Sequence, residues 1–84
     1  MTIDKKINGN ELTLELEGRL DTTTAPDLES VVDESVTSDI SSLVIDLAKL
    51  EYISSAGLRV LLKAQKIMSK QGEMKATNVS DIIG

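Results

Sequence analysis

Two secondary-structure elements meet in the stretch DLAKLEYISSAGL, residues 46–58. Immediately before it, residues 42–45 form a short apolar run rich in β-branched side chains, which is typical of a strand covered on both faces. At its other end, residues 58–70 have helical periodicity and no proline, and Gly72 follows as a stop signal. The pattern therefore predicts a buried strand that leads into an amphipathic helix.

Two adjacent hydroxyls, Ser54 and Ser55, lie where this helix must begin. A serine there can cap the helix, attack a substrate or accept a phosphate, since the positive end of a helix favours negative charge. Attack needs a base, and the chain has no His and no Cys, so a Ser-His-Asp triad is excluded. A Ser-Lys pair stays open, although neither Gly-x-Ser-x-Gly nor Ser-x-x-Lys spacing occurs here. From the residues alone, capping is the simplest interpretation.

The rest of the chain predicts an α/β sandwich with a mixed sheet. Asn8-Gly9 indicates a hairpin between strands at residues 2–7 and 11–18, with the first strand at an edge of the sheet. A last strand is predicted at residues 73–78, and the opening of a further helix at residues 79–83. Right-handed crossovers would then place the helices mainly on one face of the sheet.

The first helix is predicted to have Thr24 as its cap, with Pro26 in the first turn and a core stripe that includes Leu28 and Val32. The second helix has a wide apolar arc, formed by Leu58, Val60, Leu61, Leu62, Ala64, Ile67 and Met68. Its cations share one face and are Arg59, Lys63, Lys66 and Lys70. A solvated face explains the last two, whereas the first two lie close enough to Ser55 to favour partner docking.

Composition limits the function classes. The 84 residues allow one small domain, residues 1–84. Without Cys or His, no cofactor and no zinc or haem site is expected. The net charge of −5 and the single aromatic residue, Tyr52, argue against nucleic-acid binding. No segment has the roughly 20 apolar residues of a membrane helix, and the amino terminus lacks an apolar signal core, so we expect a cytoplasmic protein.

The stretch at residues 46–58 resembles the signature of the STAS family, the domain shared by sulphate transporters and antagonists of anti-sigma factors. An earlier stretch, GRLDTTTA at residues 18–25, is similar to the family's Gly-x-Leu-Asp turn into its first helix. Two motifs in the expected order make the match specific, and the chain looks most like the bacterial anti-anti-sigma branch. The resemblance implies a STAS-type fold with a mixed four-stranded sheet, and a C-terminal helical part that is missing or shortened here.

The resemblance also implies a binding switch. Ser55, one residue before Ala56-Gly57, matches the phosphorylated hydroxyl of the family, and Ser54 is the alternative because it stands where the branch often has aspartate. The implied partners are an anti-sigma factor that is itself an ATP-dependent serine kinase, and a phosphoserine phosphatase. The residues expected to bind the partner are Asp21, Thr22, Ser54, Ser55, Ala56, Gly57, Arg59 and Lys63.

Several alternatives stay open at this point. Asp21 can brace a turn as well as face a partner, and Tyr52 can pack at the end of the sheet or anchor an interface. A small-ligand or nucleotide-binding module would use the start of the helix as an anion-binding site, but the sequence has no glycine-rich phosphate-binding loop. An accessory subunit of a membrane transporter, as some family members are, is the third option. An enzyme is not expected, because the chain lacks a catalytic base. An uncovered part of the sheet would favour homodimers.

Overall fold

The structure, a computed structural model, describes residues 1–78. Its elements in chain order are β1 (Thr2–Asn8), β2 (Glu11–Leu20), α1 (Ala25–Ser35), β3 (Ser42–Ile53), α2 (Ser55–Met68) and β4 (Glu73–Thr77). The four strands form one sheet, and both helices contribute to a single core on one of its faces. The predicted fold class is therefore confirmed, while the helix expected at residues 79–83 lies outside the described residues.

The sheet is mixed and follows the order of the chain, β1-β2-β3-β4. β1 pairs antiparallel with β2, and the two remaining strand pairs are parallel. The hairpin between β1 and β2 turns at Gly9, whose φ of +64° is left-handed and suits glycine. The predicted hairpin and the predicted edge position of β1 are both confirmed.

Two strands are longer than the sequence predicted. β2 continues past Gly18 to Leu20, and β3 continues from the apolar run at residues 42–45 to Ile53. The two strands remain paired over this extra length, although the register shifts twice, between Glu15 and Glu17 and again after Gly18. At each shift β3 carries one residue more than β2, and such bulges bend a strand and redirect its side chains.

The core lies between the helices and one face of the sheet. The fully buried side chains of the strands come from alternate positions and are Leu12, Leu14, Leu16, Leu20, Leu43, Ile45 and Leu47. The opposite face of β3 carries Val44 and Asp46, both only partly buried. Within residues 1–78 the prediction that this strand is covered on both faces was therefore wrong, because α1 and α2 both pack on the same face.

The apolar arc predicted for α2 was too wide. The buried positions of the helix are Gly57, Val60, Ala64 and Met68. Leu58 and Leu62 are instead 38% and 57% exposed. The sheet and α1 cover only part of the circumference of this helix, so the two leucines face outward.

Candidate functional site

The carboxyl ends of β2 and β3 bring the two sequence motifs together. Leu20 and Ile53 are partners in the parallel register, and the next residue, Ser54, donates its N–H to the carbonyl oxygen of Leu20 at 2.8 Å. The turn after β2 and the first residues of α2 therefore lie side by side at the carboxyl ends of these two strands. The carboxyl ends of parallel strands are the place where open α/β sheets commonly bind their ligands.

Asp21 braces the turn between β2 and α1. Its carboxylate oxygen Oδ1 accepts hydrogen bonds from the Thr23 hydroxyl at 2.6 Å, the Thr23 N–H at 2.9 Å and the Thr24 N–H at 3.2 Å. These bonds, with the Thr23 hydroxyl as the largest cause, lower the pKa of Asp21 below its ordinary value. The turn-bracing interpretation is thus confirmed, and a contact between Asp21 and a partner stays a prediction.

Thr24 occupies the cap position of α1 but does not cap the helix with its side chain. The residue has helical backbone angles, with φ −102° and ψ −19°, instead of the extended angles of a capping residue. Its hydroxyl accepts the Asp21 N–H at 2.9 Å and donates to the carbonyl oxygen of Arg19 at 2.8 Å. The hydroxyl therefore holds the turn closed, which corrects the predicted capping role.

The two serines at the start of α2 have different surroundings. Ser54 is the N-cap residue, with extended backbone angles, and its hydroxyl accepts the Gly57 N–H at 3.3 Å. Ser55 is the first residue of the helix and is exposed. No side-chain hydrogen bond among residues 1–78 involves the Ser55 hydroxyl. Capping thus engages Ser54, and the hydroxyl of Ser55 is left open to solvent.

Ala56 and Gly57 were expected to contact the partner. Ala56 is partly buried, and Gly57 is buried. A Cβ atom on Gly57 would lie 2.5 Å from Leu20 Cγ and 3.1 Å from Ile53 Cγ1. The absence of a side chain on Gly57 therefore lets the first turn of α2, which contains both serines, pack directly against the ends of β2 and β3.

The two cations nearest Ser55 differ in their contacts. Lys63 Nζ lies 3.1 Å from Asp33 Oδ1 and 3.7 Å from Glu29 Oε2, both on α1. The Asp33 contact is the main cause that raises the pKa of Lys63 above its ordinary value. Arg59 is exposed, and no ion pair within the described part of the chain includes it. Lys63 therefore links the two helices, whereas the Arg59 guanidinium is available to another group.

Sequence reasoning missed Leu58 and Leu62 as candidates for a docking surface. They follow Ser55 by three and seven residues, so all three lie on the outward side of α2. Leu62 lines two adjacent shallow depressions, one with Arg59, Lys63 and Lys66 and one with Gln65, Lys66 and Ser69. The spacing from Ser55 was visible in the sequence, but the amphipathic pattern assigned both leucines to the core.

Tyr52 is also exposed, at 40%. The Arg19 guanidinium carbon lies 4.4 Å from the centre of its ring, in a cation–π arrangement between neighbouring strands. Thr22 is exposed in the adjoining turn. Protein interfaces are enriched in aromatic residues and arginine, and this exposed pair has that composition. That Tyr52 anchors an interface remains a prediction.

Within residues 1–78, no three acidic side chains are grouped so that they could hold a metal ion. None of the helices in that part of the chain has the length and apolar character needed to span a membrane.

The fold and the site define a small α/β domain that presents a serine hydroxyl at the start of a helix. The family model described as STAS domain matches residues 2–83, so the chain belongs to the STAS domain family. BtrV of Bordetella bronchiseptica, named as an anti-sigma factor antagonist, is 40% identical over 75 residues. The match covers 88% of this chain and 63% of BtrV, so the chain spans less than two thirds of that relative.

Solved structures agree with the family. An anti-sigma factor antagonist from Mycobacterium paratuberculosis has a TM-score of 0.81 at 27% identity, over 89% of this chain and 64% of that one. The anti-sigma factor antagonist SpoIIAA in its unphosphorylated form has a TM-score of 0.83 at 13% identity, over 98% of this chain and 77% of that one. The phosphorylated form of Bacillus SpoIIAA has a TM-score of 0.80 at 12% identity, with the same coverage. At these identities the two SpoIIAA matches show the fold, and the family resemblance seen in the sequence is confirmed.

The two serines should differ in their effect on stability. Ser54→Ala removes the cap of α2 and is expected to lower the free energy of unfolding by about 1 kcal/mol. Ser55→Ala removes an exposed hydroxyl that makes no side-chain hydrogen bond within residues 1–78, and should change the free energy of unfolding by less than about 0.5 kcal/mol. Urea unfolding followed by circular dichroism measures both values. Equal losses in the two variants would contradict the assignment of the cap to Ser54.

Asp21→Asn should change how stability depends on pH. Because the folded-state pKa of Asp21 is lowered, its stabilising contribution is fully present above the unfolded-state value, near 3.8, and is lost as pH falls through the folded-state value. Stability should therefore fall less steeply below about pH 4 in Asp21→Asn than in the unchanged protein. The control is Asp39→Asn, at an exposed aspartate without a side-chain hydrogen bond in residues 1–78. Parallel curves for the unchanged protein and Asp21→Asn would contradict the turn-bracing role.

Proposed function

We propose that this protein is an anti-sigma factor antagonist whose binding is switched by phosphorylation of Ser55. In the unmodified state it docks on an anti-sigma factor, which releases a sigma factor. A serine kinase, proposed to be the anti-sigma factor itself, phosphorylates Ser55 and ends the docking, and a phosphoserine phosphatase restores it. The names of the relatives and the two forms of SpoIIAA support this proposal.

The observation that carries the proposal is the difference between Ser54 and Ser55. A kinase must reach the hydroxyl that it modifies, and Ser55 is exposed in the first turn of α2. Ser54 is only partly exposed and its hydroxyl accepts the Gly57 N–H, so this hydroxyl is held against the helix and is less accessible to a kinase than that of Ser55. We therefore assign the modification to Ser55.

The proposed docking face is formed by Ser55, Leu58, Arg59 and Leu62 on α2, with Asp21 and Thr22 beside it. Two exposed leucines give it an apolar centre, and Arg59 gives it a positive rim. Such a surface fits a partner that offers an apolar patch with acidic side chains at its edge. Lys63 is assigned a supporting role here, because its ammonium group contacts Glu29 and Asp33 of α1.

Phosphorylation would act on the interface more than on the fold. The phosphate adds about 1.5 to 2 negative charges at neutral pH, next to a partner surface that is itself proposed to be acidic. Repulsion and the cost of removing water from the phosphate would both oppose docking. At the first position of α2 the same charge interacts favourably with the helix dipole, so the domain itself should remain folded. No catalytic step is assigned to this chain; its role is binding.

Incubation with the cognate anti-sigma kinase and Mg²⁺-ATP should give a single phosphate on Ser55, located by mass spectrometry. Ser55→Ala should receive none, and Ser54→Ala, the matched control, should still be modified. In a pull-down, the unmodified protein should bind the anti-sigma factor and the phosphorylated protein should not. Modification of Ser54, or undiminished binding after phosphorylation, would contradict the proposal.

Leu62→Ser should weaken binding to the anti-sigma factor about tenfold, because a leucine at the apolar centre of an interface is worth roughly 1 to 2 kcal/mol. Ile7→Ser is the matched control, since Ile7 on β1 is 59% exposed compared with 57% for Leu62. Dissociation constants from isothermal titration calorimetry measure both effects, and thermal unfolding checks that both variants fold. An equal effect of the two substitutions would remove Leu62 from the docking face.

A further inference from the structure

We propose that Arg59 is the counter-ion of phosphorylated Ser55 within the same chain. In this view the guanidinium binds the phosphate across one turn of α2, so the modified serine acquires a partner that the unmodified serine lacks. The inference rests on the proposed phosphorylation of Ser55. It adds a residue that recognises the phosphomonoester inside the protein, and a second way in which the modification changes the docking face.

The positions of the two residues fit such a pair. Ser55 and Arg59 are four residues apart in α2, which runs unbroken over Ser55–Met68. Side chains at this spacing lie on the same side of a helix, about 5–6 Å apart at their Cβ atoms. The acidic group would precede the basic one along the chain, which is the order that stabilises helical ion pairs best. Both side chains are exposed, so they can rearrange without disturbing the core.

The neighbouring charges leave Arg59 as the cation best placed for this contact. Lys63 already contacts Asp33 and Glu29 on α1. Arg19 stacks on the ring of Tyr52. Arg59 takes part in none of the ion pairs found in residues 1–78. Glu29 lines the same depression as Arg59, but its carboxylate oxygen lies 3.7 Å from Lys63 Nζ.

The chemistry of arginine suits a phosphate. A guanidinium presents several N–H donors in one plane and can donate two parallel hydrogen bonds to phosphate oxygens. A dianionic phosphate also attracts a cation more strongly than a carboxylate does, because it carries nearly twice the charge. The contact would bring a flexible, solvated side chain back toward the first turn of the helix.

This pairing would change the docking face in two ways at once. Phosphorylation adds negative charge at Ser55, and the contact would also withdraw the Arg59 guanidinium from the rim of that face. An acidic partner would then meet a phosphate and lose its positive contact. The phosphate would in turn be partly shielded from a phosphatase, so its removal should be faster in a variant without Arg59.

The test installs phosphoserine at position 55 during translation, so that no kinase or partner is needed. Urea unfolding is measured for four proteins: Ser55 and phosphoserine 55, each with Arg59 and with Arg59→Gln. We expect the phosphate to raise the folding equilibrium constant about fivefold more with Arg59 than with Arg59→Gln, as a charge-assisted hydrogen bond would. Lys66→Gln is the matched control, because it removes a positive charge from the same helix and should leave the effect of the phosphate unchanged.

Phosphorus NMR at pH 8, where the phosphate is dianionic, gives a signal that does not depend on the overall stability of the protein. The phosphoserine resonance should shift in Arg59→Gln and stay in place in Lys66→Gln, and Arg59→Lys should retain part of the effect. The inference would be overturned if the phosphoserine resonance were the same in Arg59→Gln and in the protein with Arg59. It would also be overturned if the phosphate changed the folding equilibrium constant equally in Arg59→Gln and Lys66→Gln, or if the phosphorylated protein did not fold.

The outcomes separate this inference from the proposed function. Coupling between phosphoserine 55 and Arg59, together with undiminished binding of the anti-sigma factor after phosphorylation, would support the contact and reject the switch. Loss of binding after phosphorylation without any coupling would support the switch and reject the contact.

Discussion

The parallel pairing of β2 with β3 is the constraint on which the site depends. It continues to the last residues of both strands, and the hydrogen bond from the Ser54 N–H to the Leu20 carbonyl oxygen extends it into the first turn of α2. The Asp21 turn and the two serines come from separate parts of the sequence, and this pairing places them together at the carboxyl ends of β2 and β3. Without it, an exposed serine would have no fixed neighbours.

Small and polar residues then determine which groups at these strand ends are free. Gly57 allows α2 to start against Leu20 and Ile53, and Ser54 satisfies one backbone N–H of the first turn. Asp21 is engaged by Thr23 and Thr24 in the neighbouring turn. Within residues 1–78 the Ser55 hydroxyl makes no side-chain hydrogen bond, so a change of its charge need not break any hydrogen bond of the scaffold.

The sequence predicted the fold well because its strongest signals are local. The Asn8-Gly9 turn, the alternation of Leu12, Leu14 and Leu16, and the serine start of α2 each depend on a few neighbouring residues, and the structure confirms them. Predictions that depended on distant parts of the chain were less successful. The full length of β3 depends on pairing with β2, and the exposure of Leu62 depends on how much of α2 the sheet and α1 cover.

The site was predicted in the same uneven way. Ser55 and Asp21 were found through motifs, but their different contacts could not be read from residue types, since Thr24 and Ser54 both looked like caps and only Ser54 is one. Likewise, Arg59 and Lys63 appeared equivalent on one helical face until the position of Glu29 and Asp33 on α1 distinguished them. Tertiary contacts decide these roles, and no local pattern encodes them.

The central claim is that Ser55 can gain a phosphate while the scaffold beneath it keeps its structure. Amide chemical shifts of the protein with serine and with phosphoserine at position 55 test this claim most directly. The account predicts changes confined to residues 20–24 and 54–60, with the shifts of β1, β4 and the buried Leu12, Leu14 and Leu16 of β2 unchanged. Changes that spread through the sheet and its core would contradict it.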